Sequence, residues 1–208
     1  MDIYPLLLPD EASYSRTIIS VMKWMVELGI IDIAVEVSQL SSFLAMTRQG
    51  RLVNALHIVS YLKNKHNSRL VLDPSYPEID MSEFKSKDIW APFYGYVQEA
   101  KPLNALKPLG KEVTLRMFVD SDHTGEKSDR CSRTGFMIFT NMSMINWNTK
   151  KQATVEGAVF GAKSVAMKEG VESLRGIRFK LLMMGVKIDG PNYVYGDNMS
   201  VIHNTYKP

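Results

Sequence analysis

The sequence predicts an α/β protein, a mixed sheet with flanking helices preceded by a small, mainly helical segment. Three observations carry this. Residues 13–64 repeat apolar side chains at helical spacing, residues 113–148 contain three short β-rich runs, and a long helical stretch separates these from a last run at 193–196. Apolar residues recurring every three to four positions mark an amphipathic helix, and alternating or short continuous runs mark strands.

The elements follow in order. Ser13 is placed to cap a first helix with Ile18, Val21, Met22 and Met25 on one stripe, closed by Gly29. A second helix over 31–44 aligns Ile33, Val37, Leu40 and Leu44. Gly50 separates a third, on which Leu52, Leu56, Val59 and Leu62 share a face. Residues 69–74 read as a short strand ending at Pro74. From 74 to 111, Pro74, Pro77, Pro92, Pro102 and Pro108 interrupt any periodicity, so this stretch is expected to be an irregular linker. The expected division is therefore a helical segment at 1–73, a linker at 74–111 and a sheet domain at 112–208. Strands are expected at 113–120, 134–140 and 143–148, with Asn141-Met142 as a tight hairpin turn. A helix over 153–186 follows, interrupted by Gly170 and Gly176. Asp189-Gly190-Pro191 then turns the chain into the last strand, and Asn198 opens another helix.

Composition excludes several classes. The 208 residues are 45% hydrophobic and 23% charged, ordinary for a globular protein with its own core. A net charge of +3 permits contact with polyanions without requiring it. The lone cysteine, Cys131, excludes an internal disulfide and a cysteine-rich zinc module, and it fits a reducing, cytoplasmic or nuclear setting. Residues 1–10 lack a basic start and contain two prolines, which argues against a signal peptide, and no apolar run is long enough to span a bilayer. The thirteen methionines read as core filler.

The chemistry concentrates in acids at strand ends. Thr114 to Val119 reads as an apolar strand delivering Asp120, with Asp122 close behind. Tyr193-Val194-Tyr195-Gly196-Asp197 repeats the arrangement. Two strands presenting aspartates at the same end suit a divalent cation, which takes hard oxygen ligands. The plainer reading is a pair of polar strand ends.

Asp120-Ser121-Asp122-His123-Thr124-Gly125, Arg133-Thr134-Gly135-Phe136, Ile145-Asn146-Trp147, Lys150-Lys151-Gln152 and Tyr195-Gly196-Asp197-Asn198 occur in this order. Together they resemble the ribonuclease H domain of copia-type retrotransposon Pol polyproteins. The upstream segments Ile31-Asp32-Ile33-Ala34-Val35-Glu36-Val37 and Ala55-Leu56-His57-Ile58-Val59-Ser60-Tyr61 look like the connection from the reverse transcriptase of those elements. The resemblance covers 14–73 and 113–208. It implies a ribonuclease H-like mixed sheet, incomplete at the C-terminus, and hydrolysis of RNA in RNA–DNA hybrids by carboxylates that hold two magnesium ions. On that pattern Asp120 and Asp197 are the catalytic and metal-binding acids, with Asp122 as a further candidate ligand. The helix acid falls at Lys163, which inverts its charge and is expected to inactivate the site. The family's last acid is expected beyond Pro208.

Partners follow from the same resemblance: an RNA–DNA hybrid or other nucleic acid, and the remainder of a Pol polyprotein. Arg130, Arg133, Lys150 and Lys151, with Lys127, are candidates for phosphate contacts, which give salt-dependent, sequence-independent affinity. A solvated basic face is the plainer reading. The alternative function is a non-catalytic nucleic-acid-binding or interaction module derived from the element. Asp122-His123 reads as a solvated loop pair, His57 as a packing or surface residue, and Trp24, Trp90 and Trp147 as core or interface aromatics. Glu156, two helical turns before Lys163, is about 10 Å from it along a helix axis, too far to stand in for the missing acid.

Overall fold

Helices α1 (Pro9–Glu27), α2 (Ala34–Ser41) and α3 (Gln49–Asn64) pack on one another in the computed structural model. It describes residues 4–206 apart from 66, 68, 85–90, 96–98, 101 and 126–128. α1 begins well before the expected cap at Ser13. Pro9 sits in its first turn, where a missing N–H costs nothing, and Glu11 Oε2 accepts the Leu8 N–H at 3.1 Å. Ser15 is buried on the inner face. Gly29, at φ 109°, ends the helix in a conformation that favours glycine.

The helical core joins Ile19, Met22 and Val26 of α1 to Ile33, Val37 and Leu40, and to Ala55 and Ile58 of α3. Burying each large aliphatic side chain there is worth about 1.5–3 kcal/mol. The α2 stripe falls as expected. Val21, Leu56 and Val59, however, face solvent. The inward stripe of α3 runs through the fully buried Ala55, whose small side chain lets the neighbouring helices approach. Gly50 lies inside the first turn of α3 rather than before the helix. A Cβ there would come within 2.7 Å of the Tyr4 ring, so glycine admits the N-terminal segment against the helix.

The expected strand at 69–74 does not form; the chain has no regular secondary structure there, and Val71 and Leu72 are exposed. Side chains take the contacts that a ladder would supply. Asn141 Nδ2 donates to the Pro74 carbonyl and Ser143 Oγ to that of Asp73. The linker also holds a four-residue helix, α4 (Ala91–Tyr94), and a strand that periodicity did not reveal, β1 (Leu109–Val113). β1 pairs in parallel with β5 (Val186–Ile188) as a separate two-stranded sheet. Its sequence, Leu109-Gly110-Lys111-Glu112-Val113, lacks the alternation that would have marked it.

The main sheet is mixed and four-stranded, in the order β4-β3-β2-β6. β2 (Leu115–Ser121) lies antiparallel to β3 (Arg133–Thr140), which lies antiparallel to β4 (Ser143–Lys151). β6 (Tyr193–Tyr195) adds in parallel on the other side of β2. Asn141, at φ 55°, forms the expected tight turn between β3 and β4. One face of the sheet packs beneath α5 (Val159–Met183) through Leu115, Met117, Val119, Phe136 and Ile138.

The two glycines expected to interrupt α5 do not. Gly170 is buried where the helix crosses β2, and a Cβ there would meet the end of the Met117 side chain at 2.9 Å. Glycine is used at that position for close approach. The short helix α6 (Met199–Thr205) closes the described chain, with Asn198 Oδ1 accepting the Val201 N–H at 3.0 Å. None of the helices among the described residues is long and apolar enough to cross a membrane.

Candidate functional site

Strand register builds the site. β2 and β6 run in parallel with Phe118 beside Tyr195, so the residues two further along each chain, Asp120 and Asp197, arrive at the same sheet end. Side chains alternate across a strand, which places Asp120 on the face opposite Met117 and Val119. On β3 its partner is Gly135, which has no side chain to cover it. Gly196 lies against α5, where a Cβ would come within 3.0 Å of Met167 Cε.

α5 supplies the third member. Ala162 and Ala166 are buried against the sheet, and Lys163 between them extends along the sheet end. Its Nζ donates to Asp120 Oδ1 at 2.5 Å and to Asp197 Oδ1 and Oδ2 at 2.5 and 2.7 Å. The lysine side chain is 15% exposed, whereas Asp120 and Asp197 are 68% and 67% exposed. Burial pushes the Lys163 pKa down, but hydrogen bonding and charge attraction to Asp120 and Asp197 outweigh it and hold the pKa above the ordinary lysine value. Asp120 Oδ1 also accepts the Ser121 N–H, which fixes that carboxylate in place.

This donor set does not fit magnesium. The ammonium sits between the two aspartates, in the place a metal ion coordinated by both would occupy, and it would repel a divalent charge there. Among the described residues, no three His, Cys, Asp or Glu side chains gather in a group that could hold a metal ion. Asp122 serves the loop instead: its Oδ1 accepts the Arg133 N–H at 2.5 Å, and Gly125 folds closely against its carboxylate. Glu156 precedes α5 and accepts the Thr154 hydroxyl, while the His123 ring meets the Glu156 carbonyl at 3.2 Å.

The basic candidates divide. Arg133 is buried, with its guanidinium donating to Ser38 Oγ at 2.6 Å and Ser42 Oγ at 3.4 Å, so it ties β3 to α2. Lys151 is ion-paired with Asp129. Lys150 and Arg130 are exposed, Arg130 at φ 60° in the loop before β3. Trp24 is exposed, Trp147 packs against the helical core, and His57 is exposed on α3. Trp90 and Lys127 lie outside the described residues.

Sequence reasoning missed a cleft on the sheet face opposite α5. It encloses about 530 Å³ between α2 and the strands. Phe118, Met137, Trp147 and Tyr195 line it, with Asp120 and Asp197 at one end. Phe118 and Tyr195 stack with ring centroids 4.8 Å apart. A signal was present: β2 and β3 carry apolar residues on both faces, the pattern of a sheet whose second face is not simply solvated. Across Trp147 lies a more polar groove of about 600 Å³, lined in part by Lys23, Ser41, Ser42, Asn146 and Lys150.

No protein-family model matches the chain, and no solved structure does. The chain is 24% identical over 99 residues to the retrovirus-related Pol polyprotein from transposon RE1 of Arabidopsis thaliana, and to the same extent to that from transposon RE2. The matched region is 48% of this chain and 7% of each relative, so the chain spans a small part of their length. This distant similarity supports an origin in a retrotransposon Pol polyprotein.

Proposed function

We propose that the chain is part of a copia-type Pol polyprotein whose main sheet is a ribonuclease H-like domain without metal-dependent hydrolysis. The single observation that carries the proposal is the Lys163 ammonium, held by Asp120 and Asp197 at the shared strand end. The strand order and the similarity to Pol polyproteins support the lineage. Two-metal hydrolysis needs carboxylates free to bring cations to a phosphodiester and to the attacking water. Here the Lys163 ammonium takes the position between the two acids that a metal ion shared by them would need. Lys163 acts as a counter-ion that joins α5, β2 and β6, which is a structural role.

The expected result is no cleavage of a labelled RNA–DNA hybrid in magnesium or manganese. Turnover above background that Asp120→Asn abolishes would overturn the proposal.

Exposed Lys150, beside the polar groove with Lys23, favours a second reading, in which the domain binds nucleic acid without cutting it. Fluorescence anisotropy with an RNA–DNA hybrid should then show affinity that falls steeply with salt, and Lys150→Gln should flatten that salt dependence by about one counter-ion. Affinity indifferent to salt counts against this reading.

A further inference from the structure

We propose that the cleft beneath α2 is a binding site for a small organic cation, an aryl or alkyl amine with an apolar body and one ammonium group. The proposal does not depend on the nuclease lineage. A concave site of a few hundred cubic ångströms with aromatic walls and a few convergent polar groups is the usual form of a small-molecule site, and 530 Å³ falls within that range. Charge selects the ligand. The walls are apolar, and the polar side chains that close one end include both Asp120 and Asp197.

Two carboxylates face a single ammonium, so the rim remains net negative after Lys163 has bound. Both carboxylates are two-thirds exposed. Lys163 contacts Asp120 through Oδ1, and among the described residues Asp120 Oδ2 accepts no hydrogen bond, so it remains available to an incoming N–H donor. The stacked Phe118 and Tyr195 rings stand beside this end, and aromatic faces attract a cation as well as an apolar body. An anion with the same apolar body would gain the same burial from the walls but meet the carboxylates' like charge. A neutral ligand would bury its body but leave Asp120 Oδ2 without a donor cation.

The test is calorimetric titration of the whole chain with 4-phenylbutylamine, 4-phenylbutan-1-ol and 4-phenylbutyrate. The amine should bind about two- to fivefold tighter than the alcohol, the gain expected from a partly exposed ion pair, and the carboxylate should bind weakest. Asp197→Asn, at an exposed position, should bring the amine down to the alcohol. Val35→Trp, at the half-exposed mouth of the cleft, should weaken both. Failure of all three to bind overturns the proposal. So does an amine no tighter than its alcohol, or undiminished binding of both by Val35→Trp. The comparison among ligands on the unmutated chain stands even if a variant fails to fold.

Discussion

The Lys163 ammonium keeps its charge well into the alkaline range, because the carboxylates that grip it outweigh the burial that opposes its charge. Its contribution therefore has a defined pH window. A lysine whose folded pKa is raised stabilises the fold fully below its unfolded value, about 10.4, and loses that contribution as pH climbs through the folded value. Lys163→Met should cost about 1 kcal/mol at pH 7, modest because both acids are well exposed. Urea unfolding of the two proteins at pH 7 and near pH 11 checks this: the gap should narrow at the higher pH, and a gap that widens is inconsistent with the ion pairs. Asp120, Lys163 and Asp197 were legible in the sequence because a motif fixes position along the chain. Asp122 was not, since a carboxylate that accepts a loop N–H reads in sequence like one awaiting a ligand.

Helix α5 shows how an element can carry a signal that periodicity misreads. Gly170 looked like an interruption, as glycine lowers helix propensity by about 1 kcal/mol relative to alanine. Its place against Met117 makes it a packing residue. Gly170→Ala should accordingly be near neutral, since the propensity gain offsets a small shift of the flexible Met117 end. Gly170→Leu should cost about 1–3 kcal/mol by overpacking. Thermal unfolding of the pair separates the readings, because a mere interruption would let both substitutions stabilise the helix. β1 escaped notice for the opposite reason. A short strand paired at long range, with Gly110, Lys111 and Glu112 at its centre, has almost no local signature. Residues 69–74 had the signature of a strand and lacked the partner.

Across the whole molecule, the helical segment and the sheet are joined through Arg133 and Ser38. Ser38 Oγ accepts from Arg133 and donates to the Thr149 carbonyl, so one hydroxyl links α2 to both β3 and β4. Trp147 adds apolar contact to the helical core from the same strand. Arg133→Met should destabilise the protein by about 1–3 kcal/mol, the cost of losing charge-assisted bonds within a buried contact. It should leave hybrid affinity unchanged at temperatures where the variant is folded. Denaturant melts together with anisotropy decide the matter: a loss of affinity without a loss of stability would return Arg133 to the surface role expected from sequence. Local pattern could place the main helices and the four strands of the larger sheet, but which basic residue faces inward depends on how two segments far apart in the chain dock.

The lysine between the two aspartates also determines what the protein needs from its surroundings. A strand end held by a bound ion is only as sound as the supply of that ion, and a chelator can undo it. Here the positive charge is a side chain, present in every copy from the moment of synthesis and beyond the reach of any chelator. The end of the sheet thereby carries its own positive charge in the place where an exchangeable ion shared by the two acids would have to enter.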